Sequence, residues 1–174
     1  MQPSFLLFGD IMFKPDFMLK TLTEISADFL KKNDIKALLL DVDNTMSVAH
    51  GDKILRDGVR EWLRDMSNEG IGLIILSNAK RARAEAFADS VGLPVVALAA
   101  KPLPFGYIRA ARKLGVKRKN IAMVGDQIFT DTLGANLSGV RSVLVTDITP
   151  EDKPGFKIKR FFERIMLKRW QDVC

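Results

Sequence analysis

The chain has almost none of the residues that secreted proteins use for cross-links and many enzymes use as bases. Its one cysteine is Cys174, so no disulfide can form within the chain, and the composition does not call for an oxidising compartment. Its one histidine, His50, reads as a solvated loop residue, and no mechanism built on paired imidazoles is available. No uninterrupted apolar run reaches the roughly 18 residues that a membrane-spanning helix needs. The first ten residues carry no base ahead of their apolar stretch, and Asp10 interrupts it. That argues against a signal peptide, and a cytoplasmic protein is the expectation. Internal repeats, low-complexity tracts and linker-like stretches are missing too. Most of the chain also lacks excess charge. Residues 153–170 hold seven bases against one acid, Glu163, and so account for the whole net charge of +6.

What is present is a patterned chain of 174 residues, a length that predicts one domain over 1–174. A domain of that size buries about 70% of the surface its unfolded chain exposes and needs no staples. Short runs rich in Ile, Val and Leu occur at residues 35–40, 71–76, 94–98, 121–124 and 140–145. They show little polar alternation, as expected of strands buried on both faces of a parallel sheet. Helical spacing fills the intervals at 56–69, 81–91, 105–114 and 130–138, with Gly70, Gly92, Gly115 and Gly139 after them. A further helix over 18–32 is expected to lead into the first run. The alternation predicts an α/β fold, a Rossmann-like, three-layer open parallel sheet with helices on both faces. Ligands in such folds sit beyond the carboxyl ends of the strands.

Polar clusters stand at those ends. Asp41, Asp43, Asn44 and Thr45 follow the first run, and Ser77 and Asn78 the second. Lys101 and Pro102 come shortly after the third. Gly125, Asp126, Gln127, Thr130 and Asp131 follow the fourth. Four carboxylates gathered at one edge repel unless a cation sits among them. Magnesium takes oxygen ligands and is held by one or two carboxylates plus a substrate phosphate. The set therefore points to a magnesium–phosphate site. Any single Asp after a strand is usually a turn or cap residue. The four clusters in order are much harder to assign to turns.

The order Asp-x-Asp-x-Thr, Ser, Lys, Gly-Asp-x-x-x-x-Asp, running from about residue 35 to 147, resembles the haloacid dehalogenase superfamily of phosphatases. That resemblance implies a nucleophilic Asp41 that becomes an aspartyl phosphate, and an Asp43 that serves first as general acid and then as general base. It implies that Ser77, the Asn78 backbone and Lys101 bind the phosphoryl group. Asp41, the Asp43 carbonyl and Asp126 would hold Mg2+, with Asp131 supporting them. An acid two residues after the nucleophile favours phosphoryl transfer over dehalogenation. At finer resolution the 41–45 and 125–131 segments, with the Lys101-Pro102 pair, resemble the YqeG-like, phosphatidylglycerophosphatase-type branch. That branch implies a phosphate monoester on a lipid head group. Met46 departs from the leucine usual there, a change without chemical consequence.

Only 33 residues separate Asp43 from Ser77, and 23 separate Ser77 from Lys101. Neither interval has room for a cap domain, so the site is expected to be open, and the substrate, a partner or an oligomer must help to exclude water. Residues 156–170 are expected to form a basic amphipathic helix. Ile158, Phe161, Phe162 and Ile165 lie on one side; Lys157, Arg160, Arg164 and Lys168 lie on another; Trp170 is near the end. Such a helix either lies on an anionic membrane, with residues 5–13 adding apolar contact, or packs on the sheet. Two alternatives stand beside a lipid phosphatase. One is a capless phosphatase for a soluble sugar phosphate or a nucleic-acid end. The other is a nucleic-acid binding module, disfavoured because no readout motif accompanies the basic tail.

Overall fold

The structure, a computed structural model, describes residues 12–48, 54–148, 161–163 and 165–168. Six parallel strands form one sheet in the order β1-β6-β5-β2-β3-β4. They are β1 (Phe17–Leu19), β2 (Ala37–Leu40), β3 (Gly72–Leu76), β4 (Val95–Val96), β5 (Ile121–Gly125) and β6 (Arg141–Val145). The helices are α1 (Ala27–Lys32), α2 (Val59–Asn68), α3 (Arg81–Val91), α4 (Pro104–Leu114) and α5 (Leu133–Ser138).

Period-two patterning divides the strands between two cores. Leu38, Leu40, Leu73, Ile75, Ala122 and Val124 face α2 and α3 through Trp62, Leu63, Met66 and Phe87. Ala37, Leu39, Ile74, Leu76, Ile121 and Met123 face α4 and α5 through Tyr107, Ala110, Ala111 and Ala135. Both faces of β2 are fully buried, which is why its sequence is an unbroken apolar run.

From β2 the chain moves outward through β3 to β4, then returns to lay β5 on the other side of β2. The strand order therefore reverses between β2 and β5, the position where open α/β sheets form their ligand crevice. Asp41 leaves β2 and Asp126 leaves β5 on either side of that crevice. No cap is inserted among the described residues. A single bridge between Ser47 and Leu55, then α2, separates Asp43 from β3.

The expected helix over 18–32 is corrected by the structure. Only Ala27–Lys32 is α-helical; Leu22–Glu24 is a 3-10 turn and Phe17–Leu19 is a strand. The Ser26 Oγ accepts the Phe29 N–H at 3.1 Å and so starts the helix there. Upstream, Asp16 fixes the edge strand by accepting the Ser142 N–H at 2.8 Å while its own N–H donates to the Ser142 Oγ at 3.0 Å. The expected helix over 130–138 is corrected as well. Its first part is a π-helical turn, Ile128–Thr132, and only Leu133–Ser138 is α-helical.

Residues 161–163 and 165–168 are helical, and they pack on the fold by an unexpected side. Glu163 is buried, and Met166 and Leu167 rest against Ile128 and Leu144. Phe161, Phe162 and Ile165 are exposed at 61%, 53% and 50%. Ile158, Lys157, Arg160, Arg164 and Trp170 lie outside the described residues, as does His50. Of the 5–13 stretch, Phe13 packs edge-on against Phe129, with ring centroids 5.5 Å apart. It is therefore engaged by the fold. No helix among the described residues is long and apolar enough to cross a membrane.

Candidate active site

Asp41 continues β2, and its N–H donates to the Val124 carbonyl at 2.9 Å. Its side chain therefore projects from the carboxyl edge at the crevice. Asn44, the residue after Asp43, has φ 59° and is buried, so the segment turns sharply over the end of the sheet. The left-handed region suits asparagine better than most residues.

Lys101 reaches the same point from the loop after β4. Two contacts zip this loop to the one after β3: the Leu98 N–H donates to the Ala79 carbonyl, and the Ala99 N–H to the Ser77 carbonyl. The Asn78 side chain completes the link. Its Oδ1 accepts the Lys101 N–H at 2.7 Å and its Nδ2 donates to the Lys101 carbonyl at 3.0 Å. That side chain is thereby spent on holding Lys101, which leaves the backbone N–H as the group Asn78 can offer an anion. Leu98 and Ala100 carry φ of 48° and 56°. A non-glycine residue in that region costs about 1–2 kcal/mol, so the loop that delivers Lys101 is strained and held by its contacts.

The Lys101 Nζ donates to the Asp41 Oδ1 at 2.6 Å and to the Asp131 Oδ1 at 2.7 Å. All three side chains are nearly inaccessible. Asp131 stands on the π-helical turn after β5. Its other oxygen accepts the Gln127 N–H at 3.1 Å, and its own N–H donates to the Gln127 carbonyl at 2.9 Å. This local ring accompanies a turn wider than α geometry, a form frequent at functional sites. Gly125 makes the packing feasible, since a Cβ there would lie 2.4 Å from the Asp131 carboxylate.

Oxygens of Asp41, Asp126 and Asp131 lie within 4.8 Å of one another. Like charges so close repel by about 3 kcal/mol per pair in partly screened surroundings, and one lysine does not offset three carboxylates. Burial pushes the Asp41 carboxyl up to about 7; Lys101 pulls it down, and Asp131 and Asp43 add to the rise. Burial on its own would lower the Lys101 ammonium, but Asp131 and Asp41 outweigh it and hold Lys101 above its ordinary value. Three convergent hard-oxygen donors with uncompensated negative charge fit a divalent cation such as Mg2+, and Asp41, Asp126 and Asp131 could hold it.

The Asp43 carboxylate is not part of this cluster. Its Oδ1 accepts from the Arg83 Nη2 at 2.5 Å. Ser77, 5% exposed, sits at the end of β3, and its Oγ accepts the Ala79 N–H at 3.1 Å. A cavity of about 280 Å³ adjoins the Thr45 side of the rim, lined by Thr21, Thr23, Arg56 and Asp147 among others.

Sequence reading missed Arg83 and Tyr107. The Tyr107 hydroxyl donates toward the carbonyls of Thr130 and Asp131 at 3.0 and 3.2 Å, tying α4 to the turn that carries Asp131. Burial first, then the Asp131 charge, holds the phenol above its ordinary value, so it remains a donor. It is the chain's one tyrosine, set on the buried face of an expected helix, which was a usable signal. Arg83 gave none, because an arginine in the first turns of a helix is usually a solvated charge.

These residues form a buried polar rim on a Rossmann-like sheet. Residues 12–139 match the haloacid dehalogenase-like hydrolases, and the chain belongs to that family. It is a phosphatase. It is 31% identical over 155 residues to the probable phosphatase YqeG of Bacillus subtilis, covering 89% of this chain and 90% of that protein. It is also 31% identical over 159 residues to the mitochondrial phosphatidylglycerophosphatase GEP4 of Saccharomyces cerevisiae, with 82% of each covered. Among solved structures, NagD from Escherichia coli K-12 superposes with a TM-score of 0.55 at 13% identity, over 69% of this chain and 93% of that one. This last is a likeness of fold alone.

Proposed function

We propose that this phosphatase hydrolyses the terminal monoester of phosphatidylglycerophosphate, depends on magnesium, and works through an aspartyl phosphate on Asp41. The observation that carries the mechanism is the Lys101 ammonium shared between Asp41 and Asp131 beside Asp126. It brings a nucleophilic oxygen, a fixed positive charge and a carboxylate cluster to one point.

The Asp41 carboxylate attacks phosphorus, and the bond to the leaving alkoxide breaks. Asp43 delivers a proton to that oxygen. Water then attacks the phosphorus of the acyl phosphate; Asp43 takes the water's proton, and phosphate leaves with Asp41 restored. Ser77, the Asn78 N–H and Lys101 hold the phosphoryl oxygens. Magnesium, when bound, adds positive charge where negative charge spreads over those oxygens.

Two features support a lipid substrate. A relative aligned over 82% of its length is named for this activity. Phe161, Phe162 and Ile165 are exposed within the segment that holds the chain's whole net charge of +6. Apolar side chains beside bases suit the surface of an anionic membrane. The open, capless rim also lets a head group enter while its acyl chains stay in the bilayer.

The test is an assay on phosphatidylglycerophosphate in vesicles containing anionic lipid, with magnesium or with chelator. Magnesium-dependent phosphate release that weakens at high salt is expected. Rapid turnover of a soluble sugar phosphate with no action on the lipid would overturn the lipid assignment.

A further inference from the structure

Arg83 is a cation beside Asp43 that the reaction above leaves without a task. It lies at the start of α3 (Arg81–Val91), and its side chain is 39% exposed. Its guanidinium meets the Asp43 Oδ1 at 2.5 Å, while the Asp43 side chain is 15% exposed. Among the described residues Asp43 is its single side-chain partner. A guanidinium has five donors in a planar fork that suits phosphate oxygens, and the contact with Asp43 uses only part of that capacity. Lys101 cannot take a second anion. It is buried, and Asp41, Asp131 and the transferring phosphoryl group take its three donors.

We propose that Arg83 is a specificity-determining residue that reads a second negative charge on the substrate, a phosphodiester three carbons from the scissile ester. The proposal rests on the functional reading above and names what distinguishes its substrate from a simple monoester.

Distance supports it. Asp43 must come within about 3 Å of the leaving oxygen to exchange a proton with it. The Arg83 nitrogen lies 2.5 Å from the Asp43 Oδ1, so at most about 5.5 Å from a leaving oxygen that this Oδ1 contacts. The oxygens at the two ends of a three-carbon unit are separated by four bonds of about 1.5 Å, which also span roughly 5 Å when extended. A phosphodiester on the far end of the glycerol therefore falls within reach of the guanidinium. In the absence of substrate Arg83 occupies the Asp43 oxygen. A substrate with a second anion draws the guanidinium onto itself and clears that oxygen for the leaving group. A monoester with only neutral hydroxyls offers nothing in exchange, and the oxygen stays occupied.

Two soluble substrates with the same glycerol unit at the scissile ester isolate the effect. One is the deacylated head group, a glycerol with the monoester on one end and a phosphodiester on the other. The other is glycerol 1-phosphate, which lacks the second charge. The readout is the ratio of kcat/KM for the first over the second, measured on the full chain with magnesium. The wild type should favour the head group, and Arg83→Ala should reduce that ratio about ten- to hundredfold, the range of a charged hydrogen bond. Arg83→Lys should retain part of the preference, because it keeps the charge without the fork. A ratio in Arg83→Ala within about twofold of the wild-type value would overturn the proposal, and the phosphatase reading would stand. If the wild-type protein turns over neither substrate nor the lipid, the functional reading fails and this proposal fails with it.

Discussion

Asp41 loses its hydration on folding and faces two other carboxylates, and its carboxyl is pushed up to about 7 from an ordinary 3.8. A carboxyl raised in the folded state contributes stability that is fully present below 3.8 and is lost as pH rises through about 7. The metal-free protein should therefore melt at a lower temperature at pH 8 than at pH 5, and magnesium should reverse the drop, because cation and proton compete for the same oxygens. Thermal melts in chelator and in magnesium check this, and Asp41→Asn should flatten the dependence. The same variant should cut turnover at least about a thousandfold, the scale of a lost nucleophile, with the fold preserved by circular dichroism. Asp43→Asn should behave differently. Loss of a general acid–base costs about 10²- to 10⁴-fold, and a phosphorylated protein should accumulate if hydrolysis suffers more than attack. Intact-mass analysis after mixing with substrate detects it.

At the scale of elements, the site depends on three connections around one turn. The π-helical turn Ile128–Thr132 is tied to α4 by Tyr107, to the end of β5 by the close approach of Gly125, and to the C-terminal helical segment by the Ile128 N–H, which donates to the Glu163 Oε1 at 2.9 Å. Gly125→Ala puts a methyl 2.4 Å from the Asp131 carboxylate and should displace it from Lys101. Turnover should fall at least tenfold, and stability should fall by about 1–3 kcal/mol, as for other overpacked positions. Steady-state assays and denaturant melts measure the two effects. Tyr107→Phe removes the donor from the carbonyls of Thr130 and Asp131, at a cost of about 1–3 kcal/mol for buried acceptors left unpaired.

For the whole molecule the question is how an open rim meets its substrate. The C-terminal helical segment docks through Glu163, Met166 and Leu167 and leaves Phe161, Phe162 and Ile165 exposed. Replacing those three with serine should weaken binding to anionic vesicles at least tenfold, since each large apolar side chain contributes about 1.5–3 kcal/mol when fully buried. Vesicle co-sedimentation at low and high salt tests both the apolar and the electrostatic part. Retention of wild-type binding by the triple variant would place the membrane contact elsewhere.

Much of this was legible from the sequence. Unbroken apolar runs such as 35–40 appear because a central parallel strand is covered on both faces, and this is a local property. The polar residues that end those runs, from Asp41 through Asp131, mark the carboxyl edge for the same reason, and the short intervals before Ser77 and Lys101 exclude a cap by length alone. Other features needed the tertiary structure. Phe17–Leu19 is a strand only because β6 offers it an edge, 126 residues away at Asp16 and Ser142. The exposed Phe161, Phe162 and Ile165 carry the apolar period of a buried stripe; which side docks depends on the apolar surface at Ile128 and Leu144. Arg83 meets Asp43 across 40 residues of sequence. Periodicity records whether a residue is covered. It does not record by what, because that depends on which distant surfaces meet when the chain closes.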